Sequence, residues 1–197
     1  MGGAHPRGPS RTDLHRPPHS VVLSVDEKTA MQARSRRHPT RPAGPGRIER
    51  REFEYRRHGT ASIVAALDVH TGQVLVEDIT RNDSAAFIRF LRLLDHSIGP
   101  GITIHLVLDN GSSHVSKATR AWLAAHPRFT VHHTPKHASW LNQIEIFFSI
   151  LARRLLRRGE FTSRQDLIDQ IRDFTLAYND EAHPFRWTYD GTPLKAA

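Results

Sequence analysis

Three carboxylates stand where their surroundings make chemistry possible. Asp26 closes the apolar run of "VVLSVDEKT", Asp109 closes that of "IHLVLDNGSSH", and Glu145 sits inside "WLNQIEIFFSIL". In α/β proteins, ligands collect beyond the carboxyl ends of strands. Two aspartates at such ends converge if their strands are neighbours, and a glutamate can reach them from a helix packed across that edge. Clustered carboxylates repel one another and invite a cation, and an oxygen-only ligand set suits Mg²⁺ or Mn²⁺. Two such ions about 4 Å apart can activate a nucleophile and stabilise a leaving oxygen, which is phosphodiester chemistry.

Each carboxylate also has a plainer reading. An Asp at a strand end commonly serves a turn, and Asp109 opens "DNGSS", which has turn composition. Asp26 is followed by Glu27, and pattern does not choose between them. Asp68 precedes "VHTG" and reads as a hairpin residue. Glu145 is harder to set aside. Trp140, Ile144, Phe147, Leu151 and Leu155 recur at helical intervals, while Asn142, Glu145 and Ser149 share one narrow polar edge. A carboxylate on a helix covered on more than one face needs a partner; a metal satisfies it, and so does a structural Arg or His. His114 either lines the site or serves as a surface or capping residue. His132 and His133 are consecutive on a strand and point to opposite faces. With no cysteine in the chain, disulfides and thiolate zinc sites are excluded.

The elements that must position these groups follow from local pattern. Residues 20–26 read as a buried strand, and 60–69 and 73–79 as a hairpin turning at 70–72. Asp83 or Ser84 caps a helix carrying Phe87, Ile88, Leu91 and Leu94. A strand at 102–109, a helix at 116–125 and a strand at 128–133 come next. A helix is expected from a Ser139 cap to "RRLLRRG", with Gly159 past its end. A last helix opens at "SRQD", a box-like cap, and stops before Pro184. A meander followed by strand–helix alternation means an α/β protein, a mixed sheet with helices packed on it. Residues 1–19, rich in Gly, Pro, Arg and His, read as a disordered tail. Residues 34–59 read as a long basic loop: nine arginines stand against three glutamates between Arg34 and Arg57.

The 197 residues suffice for one domain with a real core. The net charge of +8 favours a polyanionic partner, nucleic acid being the commonest. No apolar run approaches the roughly 20 residues needed to span a bilayer, and the N-terminus lacks a signal peptide's apolar core. The expectation is a cytosolic protein with no membrane partner.

The segments "SVDEKT", "RRHGTASIVAALDVHTG", "LVLDNGSSH", "HHTPKHASWLNQIEIFFSIL" and "FRW" together resemble the DDE transposases of the mariner superfamily, in particular its bacterial insertion-sequence branch. The likeness runs over about residues 21–194, and the 35 residues between Asp109 and Glu145 are a spacing typical of that superfamily. The resemblance implies an RNase H-like fold over 20–197, with a five-stranded mixed sheet flanked by helices. It implies that Asp26, not Glu27, joins Asp109 and Glu145 as the catalytic, metal-binding triad, holding two Mg²⁺ or Mn²⁺ ions. The implied activity is cleavage of DNA at an element end by water, then attack of the freed 3′-hydroxyl on target DNA. The implied partners are transposon-end and target DNA and a second copy of the chain, in the bacterial cytosol or nucleoid. The basic insertion falls where related transposases place a loop that reaches a partner subunit. Arg34, Arg36, Arg37, Arg56, Arg57, Lys136 and His114 are the DNA contacts expected on this reading. Full members carry helix-turn-helix units ahead of the catalytic domain, so the chain is expected to be a catalytic domain without its end-recognition module. Two other readings stay open: a non-catalytic DNA-binding or dimerisation remnant, and a structure-specific nuclease on the same fold.

Overall fold

The computed structural model describes residues 19–38, 44–46, 48, 54–135 and 142–186. The described part contains one five-stranded sheet in the order β3-β2-β1-β4-β5. Its strands are β1 (Ser20–Arg36), β2 (Tyr55–Asp68), β3 (Val74–Ile79), β4 (Thr103–Leu108) and β5 (Phe129–His133). β1, β2 and β3 form the antiparallel meander, while β4 pairs in parallel with both β1 and β5. Parallel partners need crossover connections, and the helices α1 (Ser84–Ser97) and α2 (Lys117–Ala124) supply them. This is the mixed, RNase H-like sheet expected from sequence.

Alternation along the strands divides the interior into two cores. Leu23, Val25, Val64, Ala66 and the inward residues of β4 pack under α1 and α2, around Phe87, Phe90 and Leu91. Ile63, Ala65 and Leu67 face the other way, against α3 (Ile144–Leu151) and α4 (Arg164–Asp180). α3 buries Ile144, Phe147, Phe148 and Leu151 there. Ser163 caps α4 by accepting from the Asp166 amide at 3.0 Å, and Asp166 accepts in return from the Thr162 amide at 2.7 Å.

Three boundaries differ from the sequence reading. β1 does not stop at Asp26; it runs ten residues further, and β2 begins at Tyr55. Arg34, Ser35 and Arg36 therefore pair with Arg57, Arg56 and Tyr55, so both ends of the stretch read as a basic loop are strand. The ladder uses backbone groups, which arginine side chains do not hinder, and Met31 and Ala33 anchor this extension to the second core. A bulge after Lys28, with Ala30 at φ 55°, bends the strand there. Second, α3 begins at Ile144 with no side-chain cap; the expected cap Ser139 and Trp140 lie outside the described residues, as do 1–18 of the expected tail. Third, α3 does not run on as regular helix but passes into a π-helical turn, Ala152–Leu156.

Candidate active site

The β1–β4 register puts the two aspartates together. Ser20 pairs with Thr103, and Ser24 with Val107. Carried two residues further, that register sets Asp26 level with Asp109 at the carboxyl end of both strands. Strand alternation then sends Asp26 and Glu27 to opposite faces.

On the α3 face, Asp26 is buried beside Asn142. The Asn142 amide donates to the Val25 carbonyl at 3.0 Å and to Asp26 Oδ2 at 3.3 Å. Ser24 donates to Asn142 Oδ1 and accepts from the Ile144 amide at 2.9 Å. The entrance to α3 is thereby stitched to β1 beside the carboxylate. Asp26 Oδ1 accepts from the Glu27 amide at 2.7 Å.

On the α1 face, His114 bridges two acids. Its Nδ1 lies 2.7 Å from Asp109 Oδ1 and its Nε2 lies 3.2 Å from Glu27 Oε1. Ser113 also donates to Glu27 Oε1, at 3.0 Å. The Phe87 ring covers the imidazole at 4.5 Å between centroids. Asp109 Oδ1 accepts additionally from the Gly111 amide at 2.7 Å. A Cβ at Gly111 would lie 2.9 Å from Asp109 Oδ1 and 3.3 Å from His114 Nδ1, so any larger residue there would push on both side chains.

The charges follow from this packing. Burial pushes the Asp26 carboxyl up to about 6, and the negative charges of Asp109 and Glu27 add to that, against the Glu27 amide hydrogen bond and His114, which lower it. Burial pulls His114 down, but the hydrogen bond and charge of Glu27, together with Asp109, outweigh it and hold the imidazole above its ordinary value. Its two nitrogens thus hold Asp109 Oδ1 on one side and Glu27 Oε1 on the other.

Of the residues singled out from sequence, Asp26 and Asp109 are brought together. Glu145 lies in the first turn of α3 with its side chain exposed. Among the described residues no three His, Asp or Glu side chains are gathered closely enough to hold a metal ion. The polar edge expected from Asn142, Glu145 and Ser149 is divided, because Asn142 precedes the helix and turns inward while the other two face solvent. His114 offers no surface to DNA: its side chain is 0% exposed, held between Glu27 and Asp109. Arg34 is half-buried with its guanidinium 4.8 Å from the Tyr55 ring, Arg36 lies 3.4 Å from Glu160, and Arg37 pairs with Glu54 at 2.6 Å. Arg56 and Arg57 are exposed on β2, and Lys136 lies outside the described residues. Sequence reading missed Ser24 and Ser113, set Glu27 aside in favour of Asp26, and placed Asn142 on a helix edge rather than against β1. The available signal was alternation: if Asp26 faces one layer, its acidic neighbour must face the other.

The two aspartates alone would supply part of a divalent-cation site. Two carboxylates stand level on adjacent strands, one of them desolvated and opposed by the other's charge, and a bound cation is what relieves that repulsion.

The chain is 30% identical over 112 residues to the insertion element IS630 uncharacterized 39 kDa protein of Shigella sonnei, covering 57% of this chain and 33% of that one. The chain thus spans about a third of the length of this curated relative. Among solved structures it resembles the Mos1 mariner paired-end complex with Mn, at a TM-score of 0.62 and 16% identity, over 87% of this chain and 52% of that chain. It also resembles the catalytic domain of Mos1 mariner transposase, at a TM-score of 0.56 and 13% identity, over 81% and 72% of the two chains. At such identities these likenesses speak for the RNase H-like fold. Among the described residues, no helix is long and apolar enough to cross a membrane. The profile of the DDE superfamily endonucleases matches residues 21–168, three quarters of the sequence: the chain belongs to the DDE endonuclease superfamily.

Proposed function

We propose that this chain is the catalytic domain of a DNA transposase, cutting a DNA strand at an element end and joining the freed 3′-hydroxyl to target DNA. The observation that carries the reading is the level placement of Asp26 and Asp109 on adjacent parallel strands, one carboxyl desolvated beside the other. Asp26, Asp109 and Glu145 would hold two Mg²⁺ or Mn²⁺ ions. When bound, such ions lower the pKa of an attacking hydroxyl and stabilise the leaving oxygen. The protein's own work is positioning. His114, anchored by Glu27, orients Asp109, and Asn142 orients Asp26 and ties it to the start of α3. Glu145 is exposed and has no side-chain partner among the described residues, which would leave it free to close on a cation. The Mos1 paired-end complex with left transposon end is the likeness that supports element-end DNA as substrate. A second copy of the chain as partner and a bacterial cytosolic location belong to the same reading.

The test is incubation of the purified chain with labelled element-end duplex and Mn²⁺, with Asp109→Asn in parallel. Cleavage by the parent chain that Asp109→Asn abolishes supports the reading. Cleavage that survives the substitution rejects the carboxylate site. Salt-sensitive DNA binding without cleavage would make the chain a binding remnant instead.

A further inference from the structure

An open groove of about 430 Å³ lies between the far part of β1 and the π turn. Met31 and Arg34 line it from β1; Arg153, Leu156 and Arg157 line it from the turn and the residue after it. No acidic side chain is among its lining residues. Arg153, Arg157 and the adjacent Arg158 are exposed, and among the described residues none of the three has an acidic partner. By contrast, Arg128 and Arg172, on other surfaces, pair with Asp95 and Asp78. Among the described residues, the groove therefore concentrates guanidinium charge without acidic partners on an apolar floor.

The π turn aligns this charge with Glu145 on α3. In a regular α-helix every fourth residue drifts by about 40° around the axis. The wider turn, closed by the Arg157 amide on the Ala152 carbonyl at 2.8 Å, rotates less per residue and offsets part of that drift. Glu145, Ser149, Arg153 and Arg157, all exposed, thus stay close to one stripe. Arg153 lies about 12 Å along the axis from Glu145, a rise of three to four base pairs at about 3.4 Å each. On β1, Lys28 stands between Asp26 and Arg34 in sequence, its ammonium over the Phe148 ring at 5.4 Å.

We infer that the stripe and groove formed by Arg34, Arg153 and Arg157 are a track for the phosphate backbone of duplex DNA, leading away from the Asp26–Asp109 site. The inference rests on the reading of the chain as a DNA-cutting enzyme and names the surface that holds the duplex. Planar guanidinium forks match phosphate oxygens, and their row continues the exposed stripe that begins at Glu145. Charge complementarity selects the occupant, because a protein segment seated here would have to bring its own acids.

The test measures binding of a labelled blunt duplex, without divalent ion, across a series of NaCl concentrations. Arg153→Gln/Arg157→Gln should lower the slope of log affinity against log salt by about 2, roughly 0.9 for each phosphate contact removed. Arg153→Lys/Arg157→Lys should largely keep it, which separates lost charge from lost folding. Arg89→Gln/Arg92→Gln, exposed on α1 across the sheet, should leave it unchanged. An unchanged slope in the first variant overturns the track, as does an equal loss in the α1 control. So does a double variant that dissociates a dimer on sedimentation while binding DNA as before. Because no metal is present, the outcomes separate: a falling slope with no cleavage by the parent chain keeps the track and rejects the enzyme, whereas cleavage with an unchanged slope does the reverse.

Discussion

Asp26 is ionised against its own surroundings. Its carboxyl is raised from 3.8 to about 6 in the folded chain. For an acid raised by folding, this contribution to stability is full below the unfolded value and is lost as pH rises through the folded one. The metal-free protein therefore loses up to about 3 kcal/mol from this group between about pH 4 and pH 6. Asp26→Asn should melt higher than the parent chain at pH 7, with the gap closing near pH 4, and added Mg²⁺ should raise only the parent. Differential scanning fluorimetry at both pH values checks this. At His114, Glu27→Gln removes the charge and the stronger acceptor that hold the imidazole up, so its pKa should fall, as read by histidine NMR titration. Gly111→Ala should displace the Asp109 carboxylate, since the added carbon would sit 2.9 Å from Oδ1. The expected result is at least a tenfold loss of Mn²⁺-dependent cleavage, about 1.4 kcal/mol, with an unchanged circular dichroism spectrum.

α3 separates residues that hold the fold from the residue proposed to do chemistry. Phe147 is fully buried, and Phe147→Ala should cost about 3–5 kcal/mol in urea unfolding. Asn142→Ala strands the Val25 carbonyl and Ser24 in a buried site and should cost about 2–3 kcal/mol. Glu145→Gln, exposed, should change stability by less than about 0.5 kcal/mol, yet abolish cleavage. A substitution of Glu145 that unfolds the protein would mark it as structural instead. The apolar spacing of Ile144, Phe147 and Leu151 made the helix legible in the sequence, and the strand endings made Asp26 and Asp109 legible. Asn142 was not, because helical periodicity continued through it suggests an exposed edge, and only the start of α3 at Ile144 turns it inward. The Glu27–His114–Asp109 bridge was not either. It joins β1 to a turn more than 80 residues away, and no local pattern reports such a contact. The extension of β1 was hidden by arginines and by the Pro/Gly content beyond them, which carry loop composition into residues that pair as strand.

In the molecule as a whole, the sheet is of two kinds. Its centre is covered on both faces, while beyond Lys28 the β1–β2 ladder continues as a ribbon, with Met31 and Ala33 its buried apolar residues on β1. Two-stranded ribbons are marginal alone, so the amides of Arg34, Arg36 and Arg57 should exchange with deuterium orders of magnitude faster than those of Val25, Ala65 and Leu106. Mass spectrometry of exchanging peptides checks this, and equal protection would mean that the ribbon is as rigid as the core. The parallel register of β1 and β4 has a further consequence, for which changes in length the chain tolerates. One residue inserted or deleted between Ser20 and Asp26 would put a different side chain opposite Asp109 and turn Asp26 toward the other layer. The same change between α1 and β4, at the exposed Gly99 and Pro100, leaves that pairing untouched. Across related chains, insertions and deletions should gather in such connections and spare the first seven residues of β1, whose length fixes which carboxylate meets Asp109.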